Sequence, residues 1–235
     1  MSLEAPPPAA PPGSPQPAEY DPEKSKARLK TWFPDLAETD VTKLIGYLTQ
    51  LNKFNKAVNL VSPATLKNAD AVHLADAIYA SQLIVPELVK DQAVYDFGSG
   101  NGFPGLVLGI LNPKVQVVLV DRDERKLEFC KHVAADAGAS NVKTLKSDVE
   151  ALPPGTLLNV VARGFAPLAK AMLMARPLVK AGGRFFHLKG DNWATELSQV
   201  PSQLFTFWQP NLLGDYRLPD QGALMSIVIT SKVSD

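Results

Sequence analysis

Hydrophobic residues between positions 22 and 90 recur every three or four residues, which is the spacing of amphipathic helices. Asp21-Pro22 predicts the start of a first helix. A second helix is predicted to begin at Thr39 or Asp40, and a third helical stretch to run from about Ala64 to Leu83. The apolar stripe of the second helix comprises Val41, Leu44, Ile45, Leu48, Leu51, Phe54 and Val58.

From Ala93 onward, short apolar runs alternate with longer amphipathic runs, and this alternation predicts a parallel sheet covered by helices on both faces. The predicted strands are 93–97, 115–120, 142–146, 157–162, 184–188, 204–213 and 223–230. The predicted helices are 103–111, 123–137, 166–180 and 191–199. The last two strands are joined by a loop too short for a helix, so we expect them to be antiparallel. The predicted fold class is therefore α/β and Rossmann-like, with a seven-stranded, mostly parallel sheet, an antiparallel last hairpin and a preceding helical segment.

Composition divides the chain into three parts. Residues 1–20 are rich in Pro and Ala, a composition that cannot build a packed core, and they are predicted to be a disordered tail. Residues 21–90 are predicted to form an N-terminal helical segment packed on the core. Residues 91–235 are predicted to form the α/β domain that carries the site.

Charge and cysteine content restrict the function classes. Lys and Arg number 24, as do Asp and Glu, so the net charge is zero and any contact with RNA must use a local patch. The single cysteine, Cys130, excludes an intramolecular disulfide and is typical of a reducing compartment. Neither a signal peptide nor a membrane span is apparent, so we expect a cytoplasmic protein without a membrane partner.

The segment Ala93–Gly105 reads as a strand, a glycine-rich turn and the start of a helix. Gly98 and Gly100 allow positive φ and let the backbone approach a ligand closely, and a helix N-terminus suits an anion. Asp121, at the end of the second strand, can accept hydrogen bonds from both ribose hydroxyls. These features predict an adenosine-type ligand, but by themselves they do not choose between a nicotinamide dinucleotide and S-adenosylmethionine (SAM).

Further polar residues follow other strands, and the carboxyl ends of parallel strands meet at one crevice. Val149 and Glu150 follow the third strand and could flank an adenine edge. Arg163 ends a buried strand and should therefore have a carboxylate or phosphate partner. Lys189 ends the fifth strand in the same way.

The helical segment carries a second group of candidates. Between Val41 and Lys67 there are four lysines and no acid, so Lys53 and Lys56 could contact phosphates of RNA or could simply face solvent. His73 and Asp76 share a helix face and could line a pocket or form a surface pair. No metal site is predicted, because the three histidines and one cysteine lack ligand spacing.

Several of these motifs occur together in one known family. In chain order they are the segment LNKFNKAVNL at 51–60, His73 to Asp76, DFGSGNGFPG at 96–105, ARGF at 162–165 and LKG at 188–190. Over about residues 40–230 the chain resembles the RsmG/GidB family of bacterial small-subunit (16S) rRNA guanine-N7 methyltransferases, which use SAM.

The resemblance implies roles for individual residues. SAM would be bound by Gly98, Gly100, Phe103, Asp121, Val149, Glu150 and Arg163. From the residues themselves, we predict that RNA is bound by Lys53, Lys56, Asn59, His73 and Asp76. We further predict that Arg163 and Lys189 are catalytic and hold an RNA phosphate or base edge next to the cofactor carboxylate. The partner would be ribosomal RNA or a small-subunit ribosomal particle, and the enzyme would be a monomer.

The chain also departs from the family pattern. Val72 and Ala77 replace an Arg and a Ser, and Gly164 replaces an Ala. An Arg expected near the last strand is not evident before Ser226, although Arg217 lies upstream. These departures keep open a SAM enzyme for another RNA or a small molecule. A nicotinamide-binding oxidoreductase and a non-catalytic nucleotide-binding module also remain alternatives.

Overall fold

The computed structural model describes residues 20–234. The prediction of a disordered tail over 1–20 therefore lies outside the described residues, apart from its last position. Helix α1 begins after Asp21, whose side chain accepts a hydrogen bond from the Lys24 N–H, as an N-cap does. The remaining helices of this segment are α2 (Glu38–Val58), α3 (Pro63–Leu66), a π-helical turn (Asp70–Leu74) and α4 (Ala75–Ile84), with α1 spanning Pro22–Trp32.

Strands and helices then alternate, as the sequence predicts. The strands are β1 (Val94–Phe97), β2 (Val117–Asp121), β3 (Val142–Lys146), β4 (Leu157–Arg163), β5 (Val179–Gly190), β6 (Trp208–Arg217) and β7 (Leu224–Lys232). The helices between them are α5 (Gly105–Leu111), α6 (Glu124–Asp136), α7 (Leu168–Ala175) and α8 (Trp193–Ser198). Single 3₁₀ turns occupy Val85–Glu87, Val149–Ala151 and Ser202–Thr206.

The seven strands form one sheet in the order β3-β2-β1-β4-β5-β7-β6. The first five strands are parallel to their neighbours, whereas β7 pairs antiparallel with both β5 and β6. The prediction of a mostly parallel sheet with an antiparallel last hairpin is confirmed. The order reverses between β1 and β4, so the carboxyl ends of these two strands flank the crevice where α/β sheets bind ligands.

Hydrophobic residues pack on both faces of the sheet. On one face α2, α4 and α5 enclose residues such as Leu44, Leu48 and Leu106, so the N-terminal helices share a core with the sheet. On the other face α7 and the 3₁₀ turn before β6 enclose Met172 and Trp208.

The predicted boundaries were wrong around β5. The predicted helix 166–180 ends at Ala175, because Pro177 has no N–H with which to continue the helical hydrogen bonds. Strand β5 then begins at Val179, and its pairing with β4 jumps from Val179 to Arg184. Gly183 lies inside this irregularity, where a Cβ would be 2.6 Å from Val179 Cγ1. The predicted strand 204–213 begins only at Trp208, since Ser202–Thr206 form a 3₁₀ turn.

Within residues 20–234, no helix is both long enough and apolar enough to cross a membrane.

Candidate functional site

The turn after β1 has the backbone geometry that its glycines predict. Gly98, Gly100 and Gly102 have φ values of 65°, 52° and 97°, in the left-handed region that disfavours residues with a Cβ. A Cβ at Gly98 would lie 2.9 Å from Phe165 Cδ2, whereas a Cβ at Gly100 would meet nothing closer than the Gly98 carbonyl oxygen at 3.7 Å. At Gly98 the Phe165 side chain therefore leaves no room for a Cβ, whereas the backbone of Gly100 faces open space.

Asp121 ties this turn to the end of β2. Its Oδ2 accepts a hydrogen bond from the Gly100 N–H at 2.8 Å, and its Oδ1 accepts one from the Asp123 N–H at 2.8 Å. A carboxylate has about four acceptor positions, so each oxygen keeps capacity for a further donor. The arrangement fits a ligand with two neighbouring hydroxyl groups, such as a ribose.

The turn and Asp121 border a cleft of about 310 Å³, which lies within the usual range of ligand sites. Its lining comprises Gly98, Val120, Asp121, Arg122, Ser147, Asp148, Val149, Glu150, Phe165, Ala166, Lys170 and Met174. A buried Val149 and a half-buried Phe165 supply apolar walls for a flat heterocycle. The cleft therefore brings together four of the predicted cofactor residues, namely Gly98, Asp121, Val149 and Glu150, and its donor and wall chemistry fits an adenosine group.

A larger cavity of about 700 Å³ lies elsewhere. It is bordered by Gly155 and Val179, which lie at the amino ends of β4 and β5. We assign the ligand site to the smaller cleft, because only that cleft lies at the carboxyl ends of the strands beside the glycine turn.

Arg163, at the end of β4, has the carboxylate partner that its position predicts. Its Nε lies 2.8 Å from Oδ2 of Asp76, a side chain with 0% exposure. Its Nη2 donates to the Val72 carbonyl oxygen at 3.2 Å and contacts His73 Nδ1 at 3.0 Å. The predicted shared face of His73 and Asp76 is thus the surface that receives Arg163.

His73 is held as a neutral acceptor for Arg163. Because the guanidinium can only donate, Nδ1 must accept, and the ring proton belongs on Nε2, which lies 3.0 Å from Thr65 Oγ1. Burial and the neighbouring Arg163 charge lower the pKa of His73 from 6.5 to about 4. Protonation would replace the acceptor by a second positive donor, so the contact requires neutral His73.

This lowered pKa predicts a pH-dependent stability contribution from His73. The unfolded chain binds a proton on this residue near pH 6.5 and the folded chain only near pH 4, so the contribution is present above pH 6.5 and is lost as pH falls toward 4. We expect His73→Gln to lower the free energy of unfolding at pH 8. At pH 4 the difference in this free energy between the variant and the parent protein should be smaller by about 3 kcal/mol. Urea unfolding at several pH values between 4 and 8 measures this difference.

A difference between His73→Gln and the parent protein that stays constant from pH 8 to pH 4 would contradict a neutral, buried His73.

Lys189 also has an acidic partner. Its Nζ donates to Glu196 Oε2 at 2.7 Å and to the Ala166 carbonyl oxygen at 3.0 Å. Glu196, on α8, also accepts a hydrogen bond from the N–H of Leu168 at the start of α7, at 3.0 Å. The Lys189–Glu196 pair therefore connects the start of α7 to α8. The contact of Lys189 with RNA stays a prediction.

The structure places other predicted residues away from the cleft. The Phe103 ring packs between Tyr47, at 4.8 Å, and His73, at 5.7 Å, and is 4% exposed. Only its backbone remains for the predicted cofactor contact. Asn59 ends α2 with a φ of 53°, and its side chain is exposed, as are those of Lys53 and Lys56.

Sequence reasoning did not single out Asp96 as a site residue. The carboxylate is 1% exposed, and its Oδ2 accepts a hydrogen bond from the Gly105 N–H at 2.8 Å, which fixes the start of α5 beside the turn. Oδ1 has no hydrogen-bond partner among residues 20–234. Burial raises the pKa of Asp96 to about 7. The position of Asp96 just before the glycine turn is the sequence feature that could have identified it as a site residue.

Tyr216 is the second residue that the sequence did not reveal. Its hydroxyl donates to Asp76 Oδ1 at 2.6 Å, although 140 positions separate the two residues.

In the part of the chain that the structure describes, no group of three or more His, Cys, Asp or Glu is arranged to hold a metal ion.

Comparison with known proteins agrees with this geometry. The family GidB, described as rRNA small subunit methyltransferase G, matches residues 40–208. Ribosomal RNA small subunit methyltransferase G 3 of Bdellovibrio bacteriovorus is 44% identical over 207 residues, covering 88% of this chain and 94% of that protein. Ribosomal RNA small subunit methyltransferase G of Chromohalobacter salexigens is 33% identical over 180 residues, covering 75% and 84%.

A solved structure supports the fold independently. The S-adenosylmethionine-dependent methyltransferase SibL, in its apo form, aligns with a TM-score of 0.54 at 16% identity, covering 90% of this chain and 74% of that chain. The predicted resemblance is thereby confirmed: this chain belongs to the rRNA small subunit methyltransferase G (GidB) family.

Proposed function

We propose that this protein transfers a methyl group from SAM to N7 of a guanine in 16S rRNA. The observation that carries the proposal is the cleft at the switch between β1 and β4, where Gly100 and Asp121 are joined by a 2.8 Å hydrogen bond. Such a joined turn and carboxylate fit the adenosine part of SAM, and the protein belongs to the rRNA small subunit methyltransferase G family. We place the protein in the cytoplasm as a monomer that acts on ribosomal RNA or on a small-subunit particle.

Each wall of the cleft has a role in holding SAM. Asp121 would accept hydrogen bonds from the ribose hydroxyls, and Val149 and Phe165 would contact the adenine faces. The Gly98–Gly100 backbone would lie against the part of the ligand nearest the turn, where no Cβ intervenes. When bound, SAM supplies an electrophilic methyl group on its sulfonium.

The protein's part of the reaction is orientation. N7 of guanine carries a lone pair and no proton, so an in-line attack needs no general base. Neutral His73 and the paired side chains of Arg163 and Asp76 fit such a mechanism, because no free base stands among them. Alignment of reacting groups can supply about 7–11 kcal/mol of the barrier reduction.

RNA would be bound outside the cleft by positive side chains. Lys53 and Lys56 are exposed at the end of α2, and Arg163 and Lys189 lie at the carboxyl edge of the sheet. Exposed lysines bind phosphates without reading sequence. The target guanine must be reachable in a loop or turned out of its stack.

Gly100 provides a test of the cofactor contact. Gly100→Ala and Gly138→Ala place a Cβ at φ values of 52° and 65°, and neither Cβ would meet an atom closer than 3.7 Å. Both should therefore lose about 1–2 kcal/mol of stability from backbone strain. Only Gly100→Ala should weaken SAM binding, by about tenfold or more, because the Gly100 N–H is bonded to Asp121 on the cleft wall, whereas Gly138 lies beyond the end of α6. Calorimetric titration with SAM measures the difference.

An equal loss of SAM affinity in the two glycine variants would assign the effect to backbone strain and remove Gly100 from the cofactor site.

The proposed function is tested by ligand binding followed by transfer. S-adenosylhomocysteine should raise the melting temperature, and NAD should not. Purified protein with methyl-labelled SAM should then label 16S rRNA, either free or in small-subunit particles from cells that lack the corresponding enzyme. Stabilisation by NAD without labelling would indicate a nicotinamide-binding protein instead.

A further inference from the structure

We propose that Tyr216 is a positioning residue for Arg163 and acts through Asp76. The inference rests on the proposed function, since it assigns Tyr216 a part in the same site. It concerns a residue on the antiparallel hairpin, outside the cofactor cleft.

The guanidinium of Arg163 is held along one side only. Nε pairs with Asp76, and Nη2 is occupied by the Val72 carbonyl oxygen and His73 Nδ1. Within residues 20–234, no side chain or carbonyl accepts a hydrogen bond from Nη1. The side chain is 20% exposed, so its Nη1 hydrogens are available to an acceptor on RNA or on the cofactor.

The position of this guanidinium depends on where the Asp76 carboxylate points. Asp76 has 0% exposure, so water cannot replace a lost partner of its oxygens. Oδ2 faces Arg163, and Oδ1 receives the Tyr216 hydroxyl at 2.6 Å. Without that donor, the carboxylate has one occupied oxygen and is free to rotate about its terminal torsion, taking the Nε contact with it.

The geometry of the β6–β7 hairpin directs Tyr216, and not the neighbouring Arg217, toward Asp76. Successive strand residues point to opposite faces, so Arg217 faces away from Asp76 and donates to the Gly222 carbonyl oxygen in the hairpin turn at 3.2 Å. The ring of Tyr216 is stacked on Tyr79 of α4 at 5.0 Å. Tyr216 therefore links β6 to the helix that carries Asp76. Arg217 therefore does not contact Arg163 or Asp76.

The test compares Tyr216→Phe with Tyr79→Phe in the full-length protein. Each change removes one hydroxyl from the same pair of stacked rings, but only the first hydroxyl contacts Asp76. The Arg163 Nε–H signal in ¹H–¹⁵N spectra, assigned by its loss in Arg163→Lys, reports the ion pair without requiring activity. Transfer of methyl groups to 16S rRNA is measured in parallel.

We expect Tyr216→Phe to broaden or shift the Nε–H signal and to lower kcat by about 10- to 100-fold. Tyr79→Phe should leave both unchanged. Asp76→Asn, which keeps the side-chain shape, should disturb the signal as Tyr216→Phe does. An undisturbed signal with normal kcat in Tyr216→Phe, or equal losses in the two tyrosine variants, would overturn the proposal. If the parent protein methylates no rRNA, the proposed function fails while the spectra still decide the role of Tyr216.

Discussion

Arg163→Ala is expected to abolish methyl transfer, with a loss of about 1,000-fold or more, because it removes the positive group at the carboxyl end of β4, the strand that pairs with β1 and its glycine turn. It should also destabilise the fold by about 3–5 kcal/mol, since Asp76 is left as a buried carboxylate without its cation. Activity is measured as labelled methyl in 16S rRNA, and stability by urea unfolding. The stability cost follows from the ion pair with Asp76, which the position of Arg163 in the sequence did not identify.

A double variant separates these two effects. Arg163→Ala combined with Asp76→Asn removes both charges, so most of the lost stability should return while transfer stays absent. Burial raises the pKa of Asp76, and Arg163 opposes that rise. In the single Arg163→Ala variant the folded protein should therefore bind a proton on Asp76 more readily, and the stability loss should be larger at pH 8 than at pH 5. Recovery of activity in the double variant would exclude Arg163 from the site.

Asp121→Ala is expected to weaken the binding of S-adenosylhomocysteine by about 100-fold or more, as measured by calorimetry. The substitution removes the acceptor proposed for the two ribose hydroxyls and also the acceptor of the Gly100 N–H. Both losses should weaken binding of the same ligand, because the glycine turn is bonded to this carboxylate.

Asp123→Asn is the matched control for Asp121. Asp123 lies two positions later and caps α6 by accepting a hydrogen bond from the Arg125 N–H at 3.0 Å, a role that Asn can also fill. Affinity should be unchanged in this variant. Similar weakening in both variants would mean that the loop before α6, and not the Asp121 carboxylate, determines binding.

Local chemistry explains why the cofactor cleft was predictable from the sequence. Gly98 and Gly100 have the positive φ that the glycine turn predicts, and Asp121 lies at the end of β2, where it accepts a hydrogen bond from that turn. Arg163 was predictable for a related reason, since a charge at the end of an apolar strand requires a partner. The residue-by-residue contacts with SAM and RNA stay predictions.

Contacts between distant segments could not be predicted in the same way. The bond from Tyr216 to Asp76 depends on the register of β6 against β7 and on the placement of α4 over the sheet. The early start of β5 was missed because Gly182 and Gly183 resemble a turn, whereas the strand continues through them. The packing of the Phe103 ring against Tyr47 likewise follows from tertiary structure.

The most direct measurement is nucleoside mass mapping of 16S rRNA after reaction with the purified protein and SAM. We predict one guanosine heavier by a single methyl group, at N7, and no such product with Arg163→Ala. A methyl group on another base atom, on a ribose or on no nucleotide of the rRNA would contradict the account.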